Sequence, residues 1–95
     1  MFVWDESKRL KVIENHKVDF ALIFDVFEDP FPFDYEDYEH SNETEIRYGI
    51  IGQTVEYGLI SLIYMIVNNG DVRFITARKA EKWMVNVYEE NRKRL

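Results

Sequence analysis

Residues 59–80 read LISLIYMIVNNGDVRFITARKA. Leu59 to Val67 is apolar except for Ser61, and far too short to span a bilayer, so it reads as a central strand. Asn69-Gly70 is a two-residue hairpin signal, because a type I′ turn needs positive φ at both central positions. Such a turn sets a register in which Val67 opposes Val72, Ile66 opposes Arg73 and Tyr64 opposes Ile75. The returning strand is expected over Val72 to Thr76. Strand alternation puts Arg73, Ile75 and Ala77 on one face and Val72, Phe74 and Thr76 on the other, with Phe74 marking the core side. A helix is expected from about Arg78 to Asn91, burying Ala80, Met84 and Val87.

Working back from this hairpin, Glu45 to Gly52 reads as a further strand. It is preceded by a polar loop from His40 to Thr44 and an edge strand within Phe31 to Tyr38, where acidic residues discourage pairing with other chains. Phe2-Val3-Trp4 reads as a short strand. Asp5 is placed to cap a helix from about Glu6 to Asn15 that buries Leu10 and Ile13. Asp19 is a second cap candidate, and Phe20, Phe24 and Phe27 follow at one-face spacing for a short second helix, which Pro30 and Pro32 end. The expected fold class is α+β: an antiparallel sheet meander with two N-terminal helices and one C-terminal helix packed on it.

At 95 residues the chain has room for one domain and one modest core, and 46% hydrophobic content is ample to fill it. There are no cysteines, which excludes disulfides, thiolate nucleophiles and thiolate zinc sites and fits a reducing compartment. MFVWDESKR lacks the apolar stretch of a signal peptide, so a cytoplasmic protein is expected. The net charge is -6, yet it is unevenly spread. Residues 25–45 hold nine acids and no Lys or Arg, whereas residues 46–95 hold eight bases against five acids. The overall balance argues against nucleic acid; the C-terminal half does not.

Within that half, VRFITARKA carries Arg73, Arg78 and Lys79. If Arg78 and Lys79 open a helix, they work against its macrodipole, which hints at a purpose other than helix stability. Basic side chains beside free helix N–H groups suit a phosphate. Arg47 alternates on its strand so as to share a sheet face with Arg73. The alternative is a solvated strand edge with cross-strand ion pairs, and composition leaves both readings open. His16, near the end of the first helix, is either a general acid or base or a helix C-terminal packing group. His40 reads as solvated, and the two histidines give no metal spacing. The acidic run lacks the ligand pattern of a calcium loop.

These residues, taken in order, resemble the BrnT family, RelE-like ribonuclease toxins of type II toxin–antitoxin systems. FVWDESK resembles the family's F-x-W-D-x-x-K start. NHKVDF with Val26-Phe27-Glu28-Asp29-Pro30 resembles its K-H-G-V-x-F and V-F-x-D-P segments. Glu45-Ile46-Arg47 followed by Ile51-Gly52 resembles its E-x-R and I-G strand, and RFITARKA with Tyr88 resembles its R-I-I-S-A-R-x-A signature and last-helix tyrosine. The resemblance covers most of the chain, in order, as one domain over residues 1–95. It implies a RelE-like fold and a metal-independent endoribonuclease without cofactor, in which the RNA's 2′-OH attacks the adjacent phosphate and translation is inhibited. By position, it implies Arg47, Arg73 and Arg78 as phosphate and transition-state cations, Lys79 as a supporting substrate-binding cation, and His16 and Tyr88 for proton transfer or positioning. It also implies a BrnA-like ribbon-helix-helix antitoxin as partner, with DNA bound only through the antitoxin, and a homodimer or a heterotetramer with that antitoxin as assemblies.

The chain departs from the family pattern at three places. K-H-G becomes Asn15-His16-Lys17; Met65, Ile66 and Val67 replace a polar and basic strand tail; and Trp83-Met84-Val85-Asn86 replaces a charged pair before the tyrosine. These departures keep a second reading in view, a catalytically weakened RelE-like domain acting as a protein-binding module through Trp83, Met84 and Val85.

Overall fold

In the computed structural model, which describes residues 1–94 (Asn69 by its backbone alone), the chain opens with strand β1 (Phe2–Val3) and helix α1 (Glu6–His16). Leu95, the last residue of the expected domain, lies outside the described residues. Two 3-10 turns follow, then strand β2 (Phe33–Glu36), a third 3-10 turn, and strands β3 (Arg47–Thr54), β4 (Gly58–Ile66) and β5 (Val72–Lys79), and the chain closes with helix α2 (Lys82–Lys93). The strands lie in the order β1-β5-β4-β3-β2. Strands β2 to β5 form the expected antiparallel meander, but β1 pairs parallel to β5, so the sheet is mixed. The acidic β2 is an edge strand, as its charge suggested.

Both aspartate caps are present. Asp5 accepts from the Ser7 and Lys8 amides at the start of α1, and Asp19 accepts from the Ala21 amide. The second N-terminal helix, however, is a pair of 3-10 turns, Phe20–Leu22 and Phe24–Glu28. The buried residues are Phe20, Ile23 and Val26, spaced by three, which fits three residues per turn rather than 3.6. On α1 the core residue is Val12, while Leu10 is 57% exposed, against the expectation that Leu10 and Ile13 would be buried.

Three further departures gather at the last hairpin. Asn69 and Gly70 belong to a 3-10 turn rather than a type I′ pair, and only Gly70 takes positive φ, at 84°. The longer connection shifts the register by one, so that Ile66 opposes Val72 and Met65 opposes Arg73. The strand then runs on to Lys79, and α2 begins only at Lys82 after Glu81. Arg78 and Lys79 therefore sit in a strand, and no helix macrodipole acts on them as a first turn would.

Between these ends β5 carries a bulge: Tyr64 pairs with Phe74 and Ile63 with Thr76, leaving Ile75 as the extra residue. The bulge reverses the alternation. Phe74 and Ala77 both enter the main core, and Arg73, Thr76 and Arg78 share the other face. Arg73 and Arg78 are five apart, which in a regular strand means opposite faces; the one extra residue puts them on the same one.

The main core fills the face covered by α1 and the 3-10 turns, around an aromatic cluster in which Phe74 contacts Phe2, Trp4, Phe20, Phe24 and Phe27. The second face is covered only at its β2–β3 end, where Met84 and Tyr88 of α2 pack on Ile51 with Phe33, Tyr35 and Leu59 around them. Val87 is only half-buried; Tyr88 takes the place expected for it. Gly49 allows this packing, since a β-carbon there would collide with the Tyr35 ring that lies across it.

Candidate functional site

Residues paired across antiparallel strands project from the same face of the sheet. Arg47 pairs with Met65 and Met65 with Arg73, so the two arginines flank a methionine, about 10 Å apart at their backbones across two strand spacings. Gly49, Ile63 and Thr76 form the next row, and Ile51, Ser61 and Arg78 the row beyond it. The expected trio of Arg47, Arg73 and Arg78 thus occupies one face, the one that α2 leaves partly open. They do not crowd a single point. Each lines its own hollow: Arg73 beside Thr44 and Glu45, Arg47 beside α1, and Arg78 beside α2.

The Arg47 hollow has the composition of an anion site. It is open, with a volume of about 340 Å³, and is walled by Lys8, Lys11, Asn15 and His16 of α1, with Thr76 of β5 at its floor. No acidic side chain lines it, in a chain of net charge -6. The helix supplies its wall because residues 8, 11, 12, 15 and 16 fall on one stripe, where Val12 enters the core and its polar neighbours stay at the rim. Arg47 Nε is buried and has no hydrogen-bond partner. Neither Arg47 nor Arg73 forms an ion pair among the described residues. A buried guanidinium N–H without a partner carries a desolvation cost that a bound anion would offset. His16 thus joins Arg47 at one hollow. Lys8 and Lys11, which sequence reasoning passed over, join them; their spacing with Asn15 on a helix stripe was the available signal.

Arg78 is ion-paired to Glu81, Nη1 to Oε1 at 3.2 Å, with both side chains about half exposed. Lys79 is not with the arginines. It pairs across from Ile60 on the core face and places its Nζ over the Tyr57 ring, 5.8 Å from the centroid. Tyr88 is also elsewhere, with 2% exposure under α2. Its hydroxyl donates to Asp29 Oδ2 at 2.6 Å, and that same oxygen accepts from the Gln53 amide at 2.8 Å. Burial and then the Asp29 carboxylate push the Tyr88 hydroxyl up to about 12. Burial would raise the Asp29 carboxyl, but the Tyr88 hydroxyl and the Gln53 and Phe31 amides together hold it below its usual value. This bond ties the last helix to the segment before β2 and to the end of β3. Asp25 does similar work, accepting from the Val55 amide at 2.8 Å. Part of the acidic run is thus a set of backbone anchors.

The sequence model of a family described as "Ribonuclease toxin, BrnT, of type II toxin-antitoxin system" matches residues 4–83. The chain belongs to the BrnT family. Among solved structures it is similar to the crystal structure of the Brucella abortus ribonuclease toxin, BrnT, at 27% identity and a TM-score of 0.65, with 86% of this chain and 99% of that chain covered. Comparison with curated proteins gave no match. Membership in a type II toxin–antitoxin family implies an antitoxin partner. Among the described residues, no helix is long and apolar enough to cross a membrane.

Proposed function

We propose that this BrnT-family chain is a metal-independent endoribonuclease toxin that cleaves RNA by attack of a 2′-OH on the adjacent phosphate, and so inhibits translation in the cytoplasm. The chemistry needs cations for the charge that builds on the phosphate and a group to move a proton. In this reading Arg47 receives the scissile phosphate at its unpartnered Nε, His16 moves the proton, and Lys8 and Lys11 hold the flanking backbone. Arg73 binds a neighbouring phosphate, and Arg78 contacts the RNA farther along the same face. Tyr88 and Lys79 are assigned structural work, given their partners. The observation that carries the reading is Arg47: half-buried, with its Nε buried and unpartnered, in a hollow lined by His16 and two lysines.

The partner in this reading is a BrnA-like ribbon-helix-helix antitoxin that covers the basic face and carries all DNA contacts, in a heterotetramer. The test is RNA cleavage by the purified chain, alongside growth on expression without antitoxin. Arg47→Ala is expected to lower the cleavage rate at least about a hundredfold, and His16→Ala by a comparable factor, with the circular dichroism spectrum and unfolding midpoint retained. A wild-type chain that neither cleaves RNA nor slows growth would overturn the enzyme reading. The second reading, a RelE-like binding module, would then stand; the Arg78–Glu81 ion pair and the exposed Trp83 favour it.

A further inference from the structure

Beside the Arg47 hollow lies a smaller one of about 220 Å³, between the first turn of α2 and the middle of the sheet. Trp83 and Tyr35 bring aromatic rings to it, Ser61 and Thr76 bring hydroxyls, and Arg78 brings a guanidinium. Thr76 lines both hollows, so the two are neighbours on one face. Trp83 is 54% exposed, unlike Trp4, which is stacked into the aromatic core beside Phe74. The Tyr35 ring is fixed across Gly49, and burial raises its hydroxyl. The walls are therefore part rigid aromatic, part hydrogen-bonding and part cationic.

We infer that this hollow is a nucleobase subsite, in which an unstacked base of single-stranded RNA stacks on Trp83 and is held at its edge by Ser61, Thr76 and the Arg78 guanidinium. The inference rests on the ribonuclease reading and adds what selects the cleaved sequence. An unpaired base offers a π-face and a hydrogen-bonding edge at once, and single-stranded RNA is recognised by stacking on aromatic and guanidinium planes together with edge contacts. A phosphate would use the arginine but not the tryptophan. The Arg78–Glu81 pair is surface-exposed and so weakly held, which lets it orient the guanidinium without locking it away from a ligand. The shared Thr76 makes the base and the phosphate in the Arg47 hollow neighbours on one RNA strand.

The test uses a 2′-O-methyl RNA tetranucleotide, which cannot be cleaved, in versions that differ in one base. In a Trp4→Phe background Trp83 is the sole tryptophan of the chain. Its emission is expected to be quenched by the oligonucleotide and to depend on the base. Trp83→Ala is expected to weaken binding of a labelled oligonucleotide at least about fivefold, and Trp83→Phe much less. The same Trp83→Ala change should blur the cleavage pattern of the active chain. Trp83 emission that stays constant while the oligonucleotide binds in an Arg47-dependent way overturns the subsite and leaves the ribonuclease reading intact. So does a Trp83→Ala chain that has lost antitoxin affinity alone. Base-dependent quenching in a chain that cleaves nothing supports the subsite and removes the nuclease.

Discussion

The two faces of the sheet are built on opposite plans. On one, Phe74 is fully buried and touches five other aromatic rings, and α1 and the 3-10 turns close over it. On the other, α2 covers only the β2–β3 end, and Arg73, Thr76 and Arg78 on β5 stay accessible or half-buried. The difference separates folding from chemistry. One face supplies most of the apolar burial, so the other is left to hold polar side chains at a cost the first can bear. A single bulge at Ile75 links them, because it sends Phe74 and Ala77 to the first face and Arg73 and Arg78 to the second.

The largest effect should come from the closed face. Phe74→Ala removes the ring at the centre of the cluster and is expected to cost about 3–5 kcal/mol of stability in chemical denaturation. A chain of this size has little more than that to lose, so the variant should be largely unfolded at 37 °C. A loss under about 1 kcal/mol would break the contrast, since the aromatic cluster would then not be what holds the sheet.

That contrast was only partly legible in the sequence. The order of strands in the meander and the two aspartate caps follow from local chemistry, and local chemistry is printed in the residues. The bulge is not. VRFIT gives no sign of an extra residue, because Ile75 is as good a strand residue as its neighbours and its displacement is decided by what packs on either side. The strand's extension to Lys79 was hidden for a related reason. Ala77-Arg78-Lys79-Ala80 is rich in helix formers, and pairing of Ile60 with Lys79 and Ser61 with Arg78 overrides that preference. Arg47 and His16 were legible as residues but not as neighbours, since 31 positions separate them. Tyr88 was singled out by its place in a motif, and a motif does not say whether a residue acts on substrate or holds a helix.

A smaller effect should mark the covered end of the second face. Tyr88→Phe removes the donor to Asp29 Oδ2 while leaving the amides of Gln53 and Phe31 in place. The expected loss is about 1–2 kcal/mol at pH 7, discounted because Asp29 is only half-buried. The sign with pH follows from Asp29, whose carboxyl is held below its usual 3.8. The stability it contributes is complete above that value and is lost as pH falls through the lower, folded value. Denaturation at pH 7 and at about pH 3 should therefore show the gap between wild type and variant shrinking in acid. Cleavage by the folded variant should stay within about threefold of wild type; a larger loss at unchanged stability would return Tyr88 to the reaction.

The smallest expected effect discriminates most sharply between the two faces of α1. Leu10 and Val12 are about 200° apart around the helix, so only one of them can face the core. Val12 does, and Leu10 stands in solvent. Leu10→Lys should then change stability by no more than about 0.5 kcal/mol, measured by chemical denaturation. A loss above about 2 kcal/mol would mean that the helix is turned to bury Leu10. Lys8, Lys11 and His16 would rotate with it, and the wall of the Arg47 hollow would be dismantled. A silent substitution on the outer face of α1 thus supports the basic site on its inner rim, because both depend on the same rotation of the helix.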